Sequence, residues 1–126
     1  MTSVGRTVFV VVAVVLTAGL FVQFFLAGLG VFAGAENFAI HRDTGYMLSI
    51  LPVVLIISGL IGRVGRRLVI TSLVVELLFL LQSVFVAMRT SNPQIAALHP
   101  VNGVIILLLA LIIVRDAWAM RRAATA

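Results

Sequence analysis

Residues 8–33, VFVVVAVVLTAGLFVQFFLAGLGVFA, contain no charged side chain and no proline. A hydrocarbon layer of about 30 Å is crossed by roughly 20 helical residues, so this stretch alone can span it. Backbone N–H and C=O groups find no water there, which leaves helices and closed barrels as the spanning structures. Barrel strands are short and alternate in polarity. A continuous apolar run of this length therefore reads as a helix. Three further apolar stretches follow at 45–62, 68–88 and 98–114. With flanking residues added, helices are expected at about 8–33, 39–62, 68–89 and 98–120, forming one domain over residues 1–126.

Composition agrees with this reading. The chain is 63% hydrophobic and 10% charged, with a mean hydropathy of +1.27, values that exclude an ordinary water-soluble protein. Arg6 ahead of the first run imitates a signal peptide, but the run is longer than a signal core. VFAGA at 31–35 is only a weak cleavage-like pattern, so the segment is expected to be retained. The absence of cysteine removes disulfides, thiolate metal sites and thiol nucleophiles. The net charge of +5 comes from arginines that are not interleaved with aromatic residues, so nucleic acid is not an expected partner.

The arginines instead orient the chain. Arg6 precedes the first helix, Arg63, Arg66 and Arg67 fill the link between the second and third, and Arg115, Arg121 and Arg122 lie at the end of the fourth. Only Arg42 and Arg89 fall on the other side. This asymmetry predicts an all-α, integral membrane four-helix bundle of up-down-up-down topology with both termini cytoplasmic. Trp118 and Tyr46 are candidate interfacial anchors. Pro52 is expected to kink the second helix, Asn92-Pro93 to mark the link before the fourth, and Pro100 to sit in that helix's first turn.

The functional clue is a near-repeat. The chain has two histidines, and each is followed four residues later by a glycine: His41 by Gly45, and His99 by Gly103. In the expected topology both begin helices that run in the same direction, on diagonal corners of the bundle. Two imidazoles at matched depth can ligate one haem iron from opposite faces. On this reading His41 and His99 are the axial ligands of one haem b, and Gly45 and Gly103 clear a slot for the ring. Gly28, Gly30 and Gly34 line the first helix, and Arg42 and Arg89 meet the propionates. Capping, headgroup contact or a hydrogen bond to a neighbouring carbonyl is the plainer role for either histidine alone. Zinc would need carboxylates such as Glu36 and Asp43 to converge as well.

Three polar residues interrupt the apolar helices. Glu76 is the most costly to place in lipid, and is expected to be neutral, paired (with Ser58 or Gln23) or facing a polar pocket. Gln82 lies about 9 Å further along the same helix, either lining the cofactor pocket or packing. Gln23 is expected to hydrogen-bond between helices. Asn102 and Ser49 lie near the same end, while Phe21, Phe24, Phe25 and Phe32 are expected to face lipid.

FAIHRDTGY at 38–46 and ALHPVNG at 97–103 resemble a small, poorly characterised family of bacterial four-helix integral membrane proteins. The His-Arg-x-x-Gly run at 41–45 is also similar to that of the heme A synthase family, whose helices ligate haem near the outer surface. The resemblance implies His41 and His99 as ligands and Arg42 beside the haem, while the arginine asymmetry points the histidine ends outward across a bacterial inner membrane.

The leading expectation is thus a b-type haem membrane protein with an electron-transfer or quinone-linked role. A quinone, a respiratory or redox membrane protein, or a second copy of the chain would be its partner. A structural or assembly subunit without cofactor is the alternative, and a small proton-coupled transporter using Glu76 is the third. No enzymatic activity is assigned.

Overall fold

The computed structural model describes residues 2–123. The described chain is helical throughout: α1 Thr2–Phe32, α2 Phe38–Leu48, α3 Ile50–Gly62, α4 Arg66–Ala87, α5 Pro93–Ala96 and α6 Leu98–Ala123. A single 3-10 turn, Ala35–Asn37, precedes α2. Four helical stretches are long and apolar enough to cross a membrane: Thr2–Phe32, Ala35–Gly62, Arg66–Ala87 and Pro93–Ala123. The molecule is an all-α four-helix bundle with membrane-spanning apolar helices.

Helix boundaries follow local chemistry. Nothing in Thr2–Thr7 interrupts an α-helix, so α1 starts well before its apolar run and ends only where Gly34 turns to a φ of 136°. Gly65, at φ 104°, plays the same part before α4 and follows Arg63 in the left-handed region. Within the second span, Ala35–Gly62, the helix is interrupted for one residue, Ser49, whose φ of −64° and ψ of −14° stay helical. Proline has no N–H and its ring crowds the carbonyl four residues back; here that carbonyl is on Leu48, and the helix breaks at Ser49. The Ser49 N–H still reaches Gly45 O at 3.1 Å, so the two pieces remain stacked closely. Pro93 opens the short α5, and Pro100 lies in the first turn of α6, both where the missing N–H costs little.

Helix α1 packs against α3 and α6, and α4 packs against the same two helices. Phe9, Leu16, Leu55, Val75, Ile106 and Ile113 are fully buried between them. Outward-facing positions remain apolar, Phe25, Val31, Leu77 and Leu108 among them, and Phe32 is 91% exposed. Helices apolar all round fit a lipid surround, in which exposed apolar surface carries no penalty. Buried hydroxyls spend their hydrogen on their own helix: Thr17 on Ala13 O, Ser58 on Val54 O and Ser72 on Leu68 O.

The tightest contact joins α1 to α3. A Cβ built on Gly5 would lie 2.6 Å from Gly62 N and 2.8 Å from Gly62 Cα, and one on Gly62 would lie 2.7 Å from Arg6 N. The two backbones touch because neither residue carries a side chain. Arg6 Nε donates to Gly62 O at 3.0 Å across the same contact. At this end of the bundle Arg67 also pairs with Asp116 at 3.4 Å, tying the start of α4 to the last turns of α6.

Candidate functional site

The two histidines meet. His41 on α2 and His99 on α6 place their ring centroids 6.1 Å apart with an interplanar angle of 70°, an edge-to-face contact. Both rings are half-buried. Phe38 meets the His41 ring edge-on from one turn earlier, with centroids 6.3 Å apart.

Each imidazole is fixed from behind by the helix before it. His41 Nδ1 lies 3.1 Å from the backbone oxygen of Gln23 on α1. His99 Nδ1 lies 3.4 Å from the backbone oxygen of Gln82 on α4. The glutamine side chains complete two similar units. Gln23 donates from its amide nitrogen to His41 O at 2.9 Å, while its amide oxygen accepts from the Gly45 N–H at 3.0 Å and from the Thr44 hydroxyl. This amide orientation is assigned from the hydrogen bonds it satisfies. On the other side Asn102 Nδ2 donates to Gln82 Oε1 at 2.8 Å and to Leu78 O at 2.9 Å. Asn102 is buried, so these bonds replace the water it gave up.

Each glycine lies under its glutamine. A Cβ at Gly45 would meet the Gln23 side-chain amide at 3.6 Å, and one at Gly103 would meet Gln82 Nε2 at 3.5 Å and Phe24 Cζ at 3.7 Å. These are ordinary contacts, so the two positions are neither crowded nor open. The space expected to clear a flat ring is filled by amides. Gly30 lies under the Phe38 ring, Gly34 forms the turn, and Gly28 has nothing within 4 Å; these three do not make a common slot.

The haem b reading is therefore corrected. Among the described residues no group of three or more His, Cys, Asp or Glu side chains gathers to hold a metal, and the chain has no cysteine. The expected propionate partners are engaged elsewhere. Arg42 pairs with the adjacent Asp43 at 2.8 Å, both well exposed, and Arg89 reaches Val86 O on its own helix at 3.4 Å. Two open surface cavities lie at the opposite end of the bundle, one lined by Val4, Gly5, Val8 and Ile61, the other by Val114, Arg115, Trp118 and Arg122. The electron-transfer or quinone-linked role expected of that haem falls with it. The zinc option fails on the same donor set.

Of the expected site residues the structure brings together His41, His99, Gly45, Gly103 and Gln82, and leaves out Arg42 and Arg89. Thr44 was not anticipated, although it lies one turn from His41 and could have been read from that spacing. Glu76 has neither of its suggested partners: Ser58 bonds Val54 O, Gln23 is turned to α2, and Glu76 Oε2 is buried without a hydrogen bond. Ser49 is spent on Tyr46 O.

A fold of apolar, membrane-length helices closed by an internal polar clamp defines a multi-pass membrane protein. The chain belongs to a family of unknown function (DUF6220), whose model matches residues 23–89, more than half of the sequence. That match runs from Gln23 through His41 to Arg89 and stops short of His99. No curated protein and no solved structure matches the chain, so the likeness of residues 41–45 to heme A synthases finds no support.

Proposed function

We propose that this chain is a structural or assembly subunit of a larger membrane complex and carries no cofactor of its own. The observation behind this reading is that the two histidines are used on each other and on Gln23 and Gln82. His41, His99, Gln82, Gly45 and Gly103 then act together with Gln23, Thr44 and Asn102 as a clamp. It fixes the first half of the chain against the second. Interhelical polar contacts in membranes contribute about 0.6–2 kcal/mol each, enough together to select one packing among apolar helices that lipid solvates equally well.

In this proposal residues 1–126 form one unit with up-down-up-down helices. Both termini and the 63–67 link lie on the cytoplasmic side of a bacterial inner membrane, and the histidine ends face outward. The short links at 63–65 and 88–92 and the arginine distribution support that arrangement. Arg42 and Arg89 serve as outer interfacial residues. The partner is another membrane protein or a second copy of the chain.

Extraction from the native membrane in mild detergent, followed by crosslinking and mass determination, tests the idea. A defined stoichiometric assembly is expected, and it should weaken when the clamp is opened by His41→Ala with His99→Ala. A chain that runs alone at its 13.5 kDa mass under every mild condition, with or without the substitutions, contradicts the subunit role.

A further inference from the structure

Charge is gathered at one end of this molecule. The Arg6–Gly62 bond and the Arg67–Asp116 pair bring the start of α1, the α3–α4 turn and the last turns of α6 together. That end holds Arg6, Arg63, Arg66, Arg67, Arg115, Arg121 and Arg122 against Asp116 alone, seven positive charges and one negative, a net of +6. The histidine end holds Arg42 and Arg89 against Glu36 and Asp43, a net of zero. Glu76, inside α4, accounts for the remainder of the formal +5. A surface so basic at a membrane boundary attracts anionic headgroups, at about 1 kcal/mol per arginine near the surface.

Within that end one open surface groove has a lining suited to such a group. Val114, Arg115, Trp118, Ala119 and Arg122 line a space of about 500 Å³ along α6. The spacing of 115, 118, 119 and 122 puts all four on one helical face. Arg115 is not loose: its Nε and Nη2 both lie 2.8 Å from Asp116 Oδ1, which orients the guanidinium. Trp118 is half-exposed and sits between the two arginines. An indole favours the boundary layer between water and acyl chains, and arginine binds phosphate oxygens through a planar fork of donors. Val114 extends the lining toward the apolar interior of the layer.

We propose that this face of α6 is a binding site for an anionic phospholipid. Its phosphate lies between Arg115 and Arg122, its glycerol region against the Trp118 indole, and the first part of an acyl chain along Val114. The site recognises a phosphodiester at the depth of the headgroups and discriminates against zwitterionic lipid, whose ammonium group is repelled by the +6 surface. It is independent of the histidine clamp and of the subunit role.

Trp118 is the sole tryptophan of the chain, so its fluorescence reports this site directly. The full-length protein is reconstituted into phosphatidylcholine vesicles that contain a minor fraction of brominated lipid, either phosphatidylglycerol or phosphatidylcholine. Bromine quenches tryptophan on contact. Brominated phosphatidylglycerol is expected to occupy the site on the order of tenfold more than brominated phosphatidylcholine at equal mole fraction. The Arg115→Gln with Arg122→Gln double variant should abolish the preference, whereas the charge-matched Arg63→Gln with Arg66→Gln variant should keep most of it. Equal quenching by the two lipids overturns the proposal. So does equal loss in both double variants, which would reduce the effect to diffuse surface charge. Loss of the preference on adding inorganic phosphate at constant ionic strength would assign the site to a soluble anion instead. Helix content measured on each variant by circular dichroism confirms that the bundle is intact.

Discussion

Replacing Gly5 by alanine tests which glycines hold this bundle together. A Cβ there would stand 2.6 Å from Gly62 N, 0.8 Å inside the 3.4 Å at which ordinary contact begins, and its neighbours are backbone atoms that cannot swing aside. Helices α1 and α3 must separate, which loosens Phe9 and Leu55 and lengthens the 3.0 Å Arg6–Gly62 bond. Overpacking of this kind costs about 1–3 kcal/mol, and losing the bond adds about 1 kcal/mol. The better helix propensity of alanine returns about 1 kcal/mol. The net expectation is a destabilisation of about 2 kcal/mol, or roughly 30-fold in the unfolding equilibrium constant. Gly103→Ala makes the contrast, because its Cβ meets Gln82 and Phe24 at 3.5 and 3.7 Å without displacing them. It should be neutral or stabilising by up to about 1 kcal/mol. Unfolding by sodium dodecyl sulfate in mixed micelles, followed by circular dichroism, measures both variants. If Gly103→Ala is the damaging change and Gly5→Ala is harmless, the assignment of close packing to the arginine-rich end is wrong.

Three further outcomes follow from the interior. Glu76→Leu should stabilise the bundle in the same assay by about 1–3 kcal/mol, since it removes a buried carboxyl oxygen that has no hydrogen-bond partner; a loss of stability would mean that the carboxyl is engaged after all. Asn102→Leu should destabilise by about 1–3 kcal/mol, because it leaves the Gln82 Oε1 and Leu78 O acceptors without their donor. A double-mutant cycle on His41→Ala and His99→Ala should give a coupling of about 0.5–1.5 kcal/mol for the ring contact, and strictly additive losses would show that the rings do not interact in the membrane.

The corrections share a physical cause. His41 and His99 were legible as a pair because each occurs with a glycine at helical spacing, and they do meet. What they meet for was not legible, since the same spacing serves a cofactor slot or a packed amide equally well. The decisive atoms belong to Gln23 and Gln82, far from the histidines in sequence, and their side chains fill the room beside Gly45 and Gly103. Arg42 was expected to meet a propionate because it is one of two arginines at that end, yet its guanidinium pairs with Asp43 at the exposed surface. Gly5 gave no sequence signal beyond being small; its importance comes from the approach of α3.

Sequence alone determined that the chain is made of membrane-length helices, because uninterrupted apolar runs have one way to satisfy their backbone in lipid. It also marked the link at 63–67, the link at Asn92-Pro93 and the disturbance at Pro52, since glycine and proline act through their own dihedral angles and missing N–H groups. Tertiary structure decided which polar groups are partnered and which glycine permits backbone contact. Those properties arise from distances between residues far apart in the chain, such as the 56 positions between Arg6 and Gly62, and helical periodicity carries no information about them.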